Sequence, residues 1–262
     1  MADDIGARVA VLSDIHGVLP ALEAVLAEPD VRAADLVVLT GDIAAAPQPT
    51  RVLDLLGGLG ERVARVGGNA DRELLEHRRG ERDALGDPVA RWAAGQPGPD
   101  HLDLPARLPR TLSLSPRGLG NTPFCHATAR DDEEVVPVDS SPDRWREVFS
   151  GLDPAVRTVV CGHTHMPFVR LSHGRLVVDP GSVGMPYGRS GAHGALPGPG
   201  VEPRTTHFGI ESAVARITRD SGHPEAADWA DCFLHARATD TEALDAFAPR
   251  DGRSPDQQQE AP

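Results

Sequence analysis

Residues 36–39 read Leu-Val-Val-Leu, four apolar positions with no alternation. A strand whose two faces are both apolar must be covered on both, as in a parallel sheet lying between layers. This run stops abruptly at Thr40-Gly41-Asp42. Three other short runs share the habit: 8–12 stops at Ser13-Asp14, 62–66 at Gly67-Gly68-Asn69, and 156–160 at Cys161-Gly162-His163. Helical patterns separate the first of them. Leu19, Leu22, Val25 and Leu26 share one helical face, with Pro20 in the first turn and Pro29 past the end. A second helix spans about 50–56 before Gly57-Gly58, and another begins near Asp71. Strands alternating with helices predict an α/β fold.

The remainder reads as shorter pieces. Residues 80–110, rich in Arg, Gly, Pro and Ala, form a helical connection. Strands near 111–114 and 122–125 flank a Ser-Pro-Arg-Gly loop, and a helix over 142–149 follows Ser141-Pro142. Strands 167–171 and 175–179 pair about Ser172-His173-Gly174. A further hairpin, near 192–196 and 204–210, turns at Pro197-Gly198-Pro199-Gly200, and helices follow near 211–219 and 224–234. We read residues 1–247 as one domain and the polar, Pro-containing stretch 248–262 as a disordered tail. With 262 residues and only 4% aromatics, the core must be built from Leu, Val, Ala and Ile. At this length no cross-link is needed to complete it.

The formal charge of −13 repels phosphate backbones, so duplex nucleic acid is not an expected partner. Three cysteines at irregular spacing make no disulfide framework and fit a reducing compartment. The N-terminus lacks a basic region followed by an apolar stretch, and no run of about 18 apolar residues occurs. A cytoplasmic protein without membrane attachment is expected. The oligomeric state is not legible.

The strand ends carry the chemistry. Asp14 and His16, Asp42, Asn69, and His163 with His165 each follow a predicted strand, and the strand at 122–125 runs into His126. The carboxyl ends of parallel strands form one rim, so residues distant in sequence converge there. Carboxylates, imidazoles and an amide are donors that borderline divalent metals accept. Seven donors exceed one tetrahedral zinc site and suit two metals sharing a carboxylate. Singly, each has a plainer reading: His163 and His165 as exposed turn residues, Asn69 as a turn residue after two glycines. The histidines outside these motifs, His193 among them, are read as solvated.

Asp14-Ile15-His16, Gly41-Asp42, Gly68-Asn69-Ala70-Asp71, Cys125-His126-Ala127 and Gly162-His163-Thr164-His165 occur in that order. Together they resemble the calcineurin-like metallophosphoesterase superfamily, and most of all its small bacterial branch of phosphodiesterases and diadenosine-tetraphosphatase-like proteins. Pro180-Gly181-Ser182-Val183-Gly184 adds to the likeness, which spans about residues 8–210. The resemblance implies two packed mixed β-sheets flanked by helices in four α-β-β-α layers. It implies that Asp14, His16 and His165 bind a first divalent metal, that Asn69, His126 and His163 bind a second, and that Asp42 bridges them. Asp42, Asn69 and His165 take catalytic roles. The metals are manganese, iron, nickel, cobalt or zinc, with manganese favoured. The implied reaction is attack of a metal-bridging hydroxide on a small phosphorylated substrate.

One position departs from the family. Many members carry His after the metal-binding Asn, where it is thought to assist the leaving group, and this chain has Ala70. A methyl group donates no proton, so leaving groups that need little protonation are expected, such as phenolates or a nucleotide phosphate. Asp71 reads as a helix-start residue or a support for a ligand. Arg72 and Arg130 are candidate substrate contacts, each with a surface-charge reading beside it. A phosphodiesterase is the first reading. The alternatives are a nucleotide anhydride hydrolase (acting on dinucleoside polyphosphates), a phosphomonoesterase, and a non-catalytic interaction scaffold like the retromer subunit of this fold. A nuclease would call for a basic groove, which the acidic balance disfavours.

Overall fold

The computed structural model describes residues 3–4, 8–82, 85–98, 101 and 107–252. Its strands in chain order are β1 (Asp3–Asp4), β2 (Val9–Leu12), β3 (Leu36–Leu39), β4 (Val63–Arg65), β5 (Thr111–Ser115), β6 (Thr122–Cys125), β7 (Thr158–Val160), β8 (Phe168–Ser172), β9 (Arg175–Asp179), β10 (Ala192–Pro197) and β11 (Val201–Thr206). They form two sheets, ordered β1-β5-β6-β7-β9-β8 and β11-β10-β2-β3-β4. Both are mixed. In one, β2, β3 and β4 run parallel while β10 joins β2 antiparallel. In the other, β6, β7 and β9 run parallel, β5 is antiparallel to β6 and β8 to β9, and β1 runs parallel to β5.

The apolar runs without alternation are the cause. Side chains in a strand alternate between faces, so a fully apolar strand faces two apolar layers. Val9 and Val11 of β2, Val38 of β3, Phe124 of β6, Val160 of β7 and Val178 of β9 meet in the cluster between the sheets. Ala10, Leu12, Val37 and Leu39 point the other way, into a cluster with Leu19, Leu22 and Val25 of the helix Leu19–Ala27. Cys125, Val159, Cys161 and Val177 do the same on the second sheet, against Trp145 and Val148 of the helix Pro142–Val148. The result is the four-layer arrangement of helices, sheet, sheet, helices. Each fully buried Val or Leu contributes about 1.5–3 kcal/mol relative to exposure.

Several expectations are corrected. The chain does not turn polar and loose at Ala248. A helix spans Asp240–Phe247, opened by a Thr239 cap that accepts from the Glu242 amide. Ala248 and Asp251 are buried, and Ser140 Oγ donates to Asp251 Oδ2 at 2.8 Å. The packed body therefore runs at least to 252, and residues 253–262 of the expected tail lie outside the described residues. The connection at 80–110, by contrast, contains a helix as expected, Pro88–Ala94. His193 is buried rather than solvated, with its two ring nitrogens bonded to Thr205 Oγ1 and the Arg189 carbonyl. No helix among the described residues is long and apolar enough to cross a membrane.

Candidate metal centre

The loops after β2, β3, β4, β6, β7 and β9 meet at one rim. Backbone hydrogen bonds zip them together: Asp14 N–H to Gly41 O (3.1 Å), His16 N–H to Asp42 O (2.9 Å) and Gly162 N–H to His126 O (2.6 Å). The Gly-rich turn after β9 closes the ring, for Ser182 Oγ donates to Asp14 O at 2.7 Å and the amides of Val183 and Gly184 donate to Ser13 O and Asp14 O. Ser182 thus braces this turn, its Oγ also accepting from Met185 N–H at 2.7 Å.

All seven residues named from the strand ends stand in this ring. One group is Asp14, His16 and His165, whose ligand atoms lie within 4.8 Å of one another; Asp42, His126 and His163 form the second. His165 Nε2 is 3.2 Å from both Asp14 Oδ1 and His16 Nε2. His126 Nε2 faces Asn69 Oδ1 at 3.1 Å, His163 Nδ1 at 3.2 Å and Asp42 Oδ2 at 3.3 Å. Asp42 Oδ2 also lies 3.7 Å from His16 Nε2, so one oxygen stands between the two groups.

The backbone is bent to make this possible. Asp14, His16, Asp42, His163 and His165 all sit in the left-handed region, with φ between 47° and 72°. Only two other non-glycine residues among those described do so, His173 and Ala236. Such conformations cost roughly 1–3 kcal/mol each and persist where the surroundings impose them. The close approach also needs glycine. A Cβ on Gly162 would stand 2.1 Å from Ser13 Oγ and 2.9 Å from Asp14 Oδ2.

Tautomers are set from behind. A carbonyl only accepts, so Nδ1–H of His126 donates to Thr40 O (2.8 Å) and Nδ1–H of His165 to Met185 O (2.9 Å). Both rings then turn Nε2 inward, the arrangement typical of metal-binding imidazoles. Asp14 Oδ1 is buried and accepts no hydrogen bond of proper geometry. Such an atom is costly unless something compensates it.

The charges fit the same picture. Burial pushes His16 down to about 4, and burial with the His126 charge pushes His163 down to about 3. His126 goes the other way, because the Asp42 carboxylate overrides burial and raises it to about 10. Burial would raise Asp42, but His126 holds it at about 2. Asp14 lies below the usual carboxylate range, since His165 outweighs burial. Without metal, a proton on His126 therefore sits among Asp42, Asn69 and His163, where a cation would find its donors. The donor set fits two divalent ions.

Two supporting carboxylates lie just outside. Asp71 accepts from the amides of Ile43 and Gly68 and so fixes the turn carrying Asn69, which is the first residue of the helix Asn69–Arg78. Asp179, at the end of β9, went unnoticed in the sequence because it belongs to no ligand motif. It accepts from Thr164 Oγ1 at 2.7 Å and from Gly181 N–H at 2.8 Å, and so holds the turn between His163 and His165.

The two arginines fare differently from the ligands. Arg72 spends its guanidinium on Asp132, Glu133 and Glu76. Arg130 spends its own on Glu134 and Glu147. Neither guanidinium makes a hydrogen bond or ion pair with any of the seven donor residues. Three of these partners, Asp132, Glu133 and Glu134, come from the acidic run 131–134.

A search of the curated proteins finds no significant match. Among solved structures, a metallophosphoesterase from Sphaerobacter thermophilus is 25% identical, with a TM-score of 0.65 over 84% of this chain and 96% of that one. A hypothetical protein from Pyrococcus horikoshii OT3 shares the fold, with a TM-score of 0.73 at 18% identity over 88% of this chain and 99% of that one. Residues 8–196 match the family model described as the calcineurin-like phosphoesterase superfamily domain. With six strand-end loops closing one ring of carboxylates and imidazoles inside that matched span, the chain belongs to the calcineurin-like phosphoesterase superfamily.

Proposed function

We propose that the protein is a dinuclear, divalent-metal-dependent phosphodiesterase acting on a small, nucleotide-like substrate. The observation that carries this reading is the single oxygen Asp42 Oδ2, which faces His16 of one donor group and His126 of the other. Asp14, His16 and His165 would hold one ion, Asn69, His126 and His163 the second, and Asp42 both. Manganese is our first choice, and iron, nickel, cobalt and zinc suit the same donors. When bound, two such ions supply Lewis-acid stabilisation of phosphoryl oxygens and activate water as a nucleophile near neutral pH.

The chain's own residues prepare the site. Thr40 O and Met185 O hold His126 and His165 in the tautomer with Nε2 free. Only a ring nitrogen without a proton binds metal, so protons and metal compete for these rings and loading depends on pH. Asp71 and Asp179 keep the two ligand-bearing turns in place. Ala70 presents a methyl group and its backbone amide, which is already donated to Asp42 Oδ1 at 2.8 Å. No side chain at that position protonates a leaving group, which suits phenolate or nucleotide-phosphate departure. The cysteines at 125, 161 and 232 are free, in keeping with a cytoplasmic setting.

The test is manganese-dependent hydrolysis of bis(p-nitrophenyl) phosphate by the wild type and by Asp42→Asn. Wild-type turnover that falls about 100-fold or more in the variant supports the reading. No turnover with any of the five metals would sink it and leave the scaffold role. Faster cleavage of a dinucleoside polyphosphate than of any diester would shift the assignment to anhydride hydrolysis.

A further inference from the structure

The matched family span ends at residue 196, yet a helix beyond it packs on a ring that covers one of the donors. Tyr187, the only tyrosine in the chain, stacks its ring on His165, with centroids 5.5 Å apart and planes inclined by 21°. Phe247, the last residue of the helix Asp240–Phe247, meets the Tyr187 ring edge-on at 6.1 Å and 78°. The residue just before that helix's Thr239 cap is tied to the same turn, because Gly188 N–H donates to Ala238 O at 3.0 Å. His165 is thus fixed from two directions by one short turn: Met185 O takes its Nδ1–H, and Tyr187 covers a ring face.

The C-terminal segment also reaches the other half of the site. Asp251 accepts from Ser140 Oγ and, at 3.3 Å, from Arg144 Nε. Arg144 pairs with Glu134 at 2.9 Å, and Glu134 accepts from Thr128 Oγ1 at 2.8 Å, two residues beyond His126. This second path passes through two intermediaries, Arg144 and Glu134, and stops two residues short of His126, so it constrains less. The aromatic path has one intermediary and ends on a donor.

We propose that the helix Asp240–Phe247 positions the first metal subsite: Phe247 holds Tyr187, and Tyr187 holds the plane of the His165 imidazole. The inference rests on the reading of His165 as a metal ligand. Groups that orient a ligand from behind typically govern about 10–100-fold of metal affinity. A stack that only fills space would govern stability and leave affinity alone. The two roles therefore separate in measurement.

The experiment is calorimetric titration of manganese into metal-free wild type, Tyr187→Phe, Tyr187→Leu and Phe247→Leu. Thermal melting of each metal-free protein runs alongside. The leucine variants keep apolar bulk and lose the flat face, which guards the fold. We expect two ions in the wild type and within about 2-fold the same affinities in Tyr187→Phe, which retains the ring. In both leucine variants, one ion should weaken by about 10-fold or more while the other stays within about 2-fold. Wild-type affinities in the leucine variants, or equal weakening of both ions, would overturn the proposal, whatever the melting temperatures do. Uptake of fewer than two ions by the wild type would instead overturn the dinuclear reading beneath it.

Discussion

Gly68 and Asp42 approach so closely that a Cβ on residue 68 would stand 2.1 Å from Asp42 Oδ1 and 2.6 Å from its backbone nitrogen. The backbone of Gly68 is extended, with φ −102°, so space rather than torsional freedom demands glycine here. The contact lets the Ala70 amide pin Oδ1, which turns Oδ2 toward His16 and His126. Gly68→Ala should displace that carboxylate. We expect about 1–3 kcal/mol of lost stability from overpacking and about 10–100-fold weaker manganese binding. A melt and a metal titration check both, and wild-type affinity in the variant would refute the bridging geometry.

Ala70→His should restore a proton donor without disturbing the backbone bond to Asp42. Positioned acids contribute about 10²–10⁴-fold, so a gain of about 10-fold or more is expected on an alkoxide leaving group. The rate on a p-nitrophenolate leaving group should change little. Comparing the two leaving groups in wild type and variant decides the matter. Equal effects on both would mean that the absent acid does not limit the reaction.

Asp179 is buried beside the Asp14 charge, and burial first, then that charge, raises its carboxyl to about 7. A raised folded pKa means that the folded state binds the proton more tightly than the unfolded chain, near 3.8. Its stabilising contribution is full below about 4 and is lost as pH rises through about 7. Asparagine mimics the protonated form, accepting from Gly181 N–H and donating to Thr164 Oγ1. In the metal-free protein, Asp179→Asn should match wild type near pH 4 and melt higher at pH 8. A lower melting temperature at pH 8 would show that the charged carboxylate stabilises the turn.

Removing metal should expose the strain stored in the ring. At a free manganese concentration 100 times its dissociation constant, one site stabilises the fold by about 2.7 kcal/mol. For a chain of this size that is a shift of about 5–10 °C in melting temperature. The shift should vanish with EDTA and shrink in Asp42→Asn. A wild-type melting temperature indifferent to metal would contradict a site built from these donors.

Local pattern made a good part of this molecule legible. Leu36–Leu39 and Arg175–Asp179 are strands within the expected bounds, because runs of apolar, β-branched residues stopped by polar ones carry their own boundaries. The order of motifs at strand ends named the seven residues that the ring brings together, since each motif is contiguous in the chain. What lacked a local signature escaped. The helix Asp240–Phe247 is short and its packing partners lie far off in sequence, so Ala248 and Asp251 read as the start of a polar tail. Asp179 is one carboxylate among many until the fold sets it beside Thr164. Arg72 and Arg130 read as candidate substrate contacts because three of their acidic partners, Asp132, Glu133 and Glu147, meet them only in the folded chain. The sequence by itself determined which side chains end the strands and which donor chemistry they offer. Only the tertiary structure decided which oxygen stands between the two groups, which carboxylates hold the turns, and that a helix beyond the family span leans on the tyrosine ring that covers His165. The longest of those contacts in sequence joins Asp42 to His126, and no local pattern encodes a distance in space.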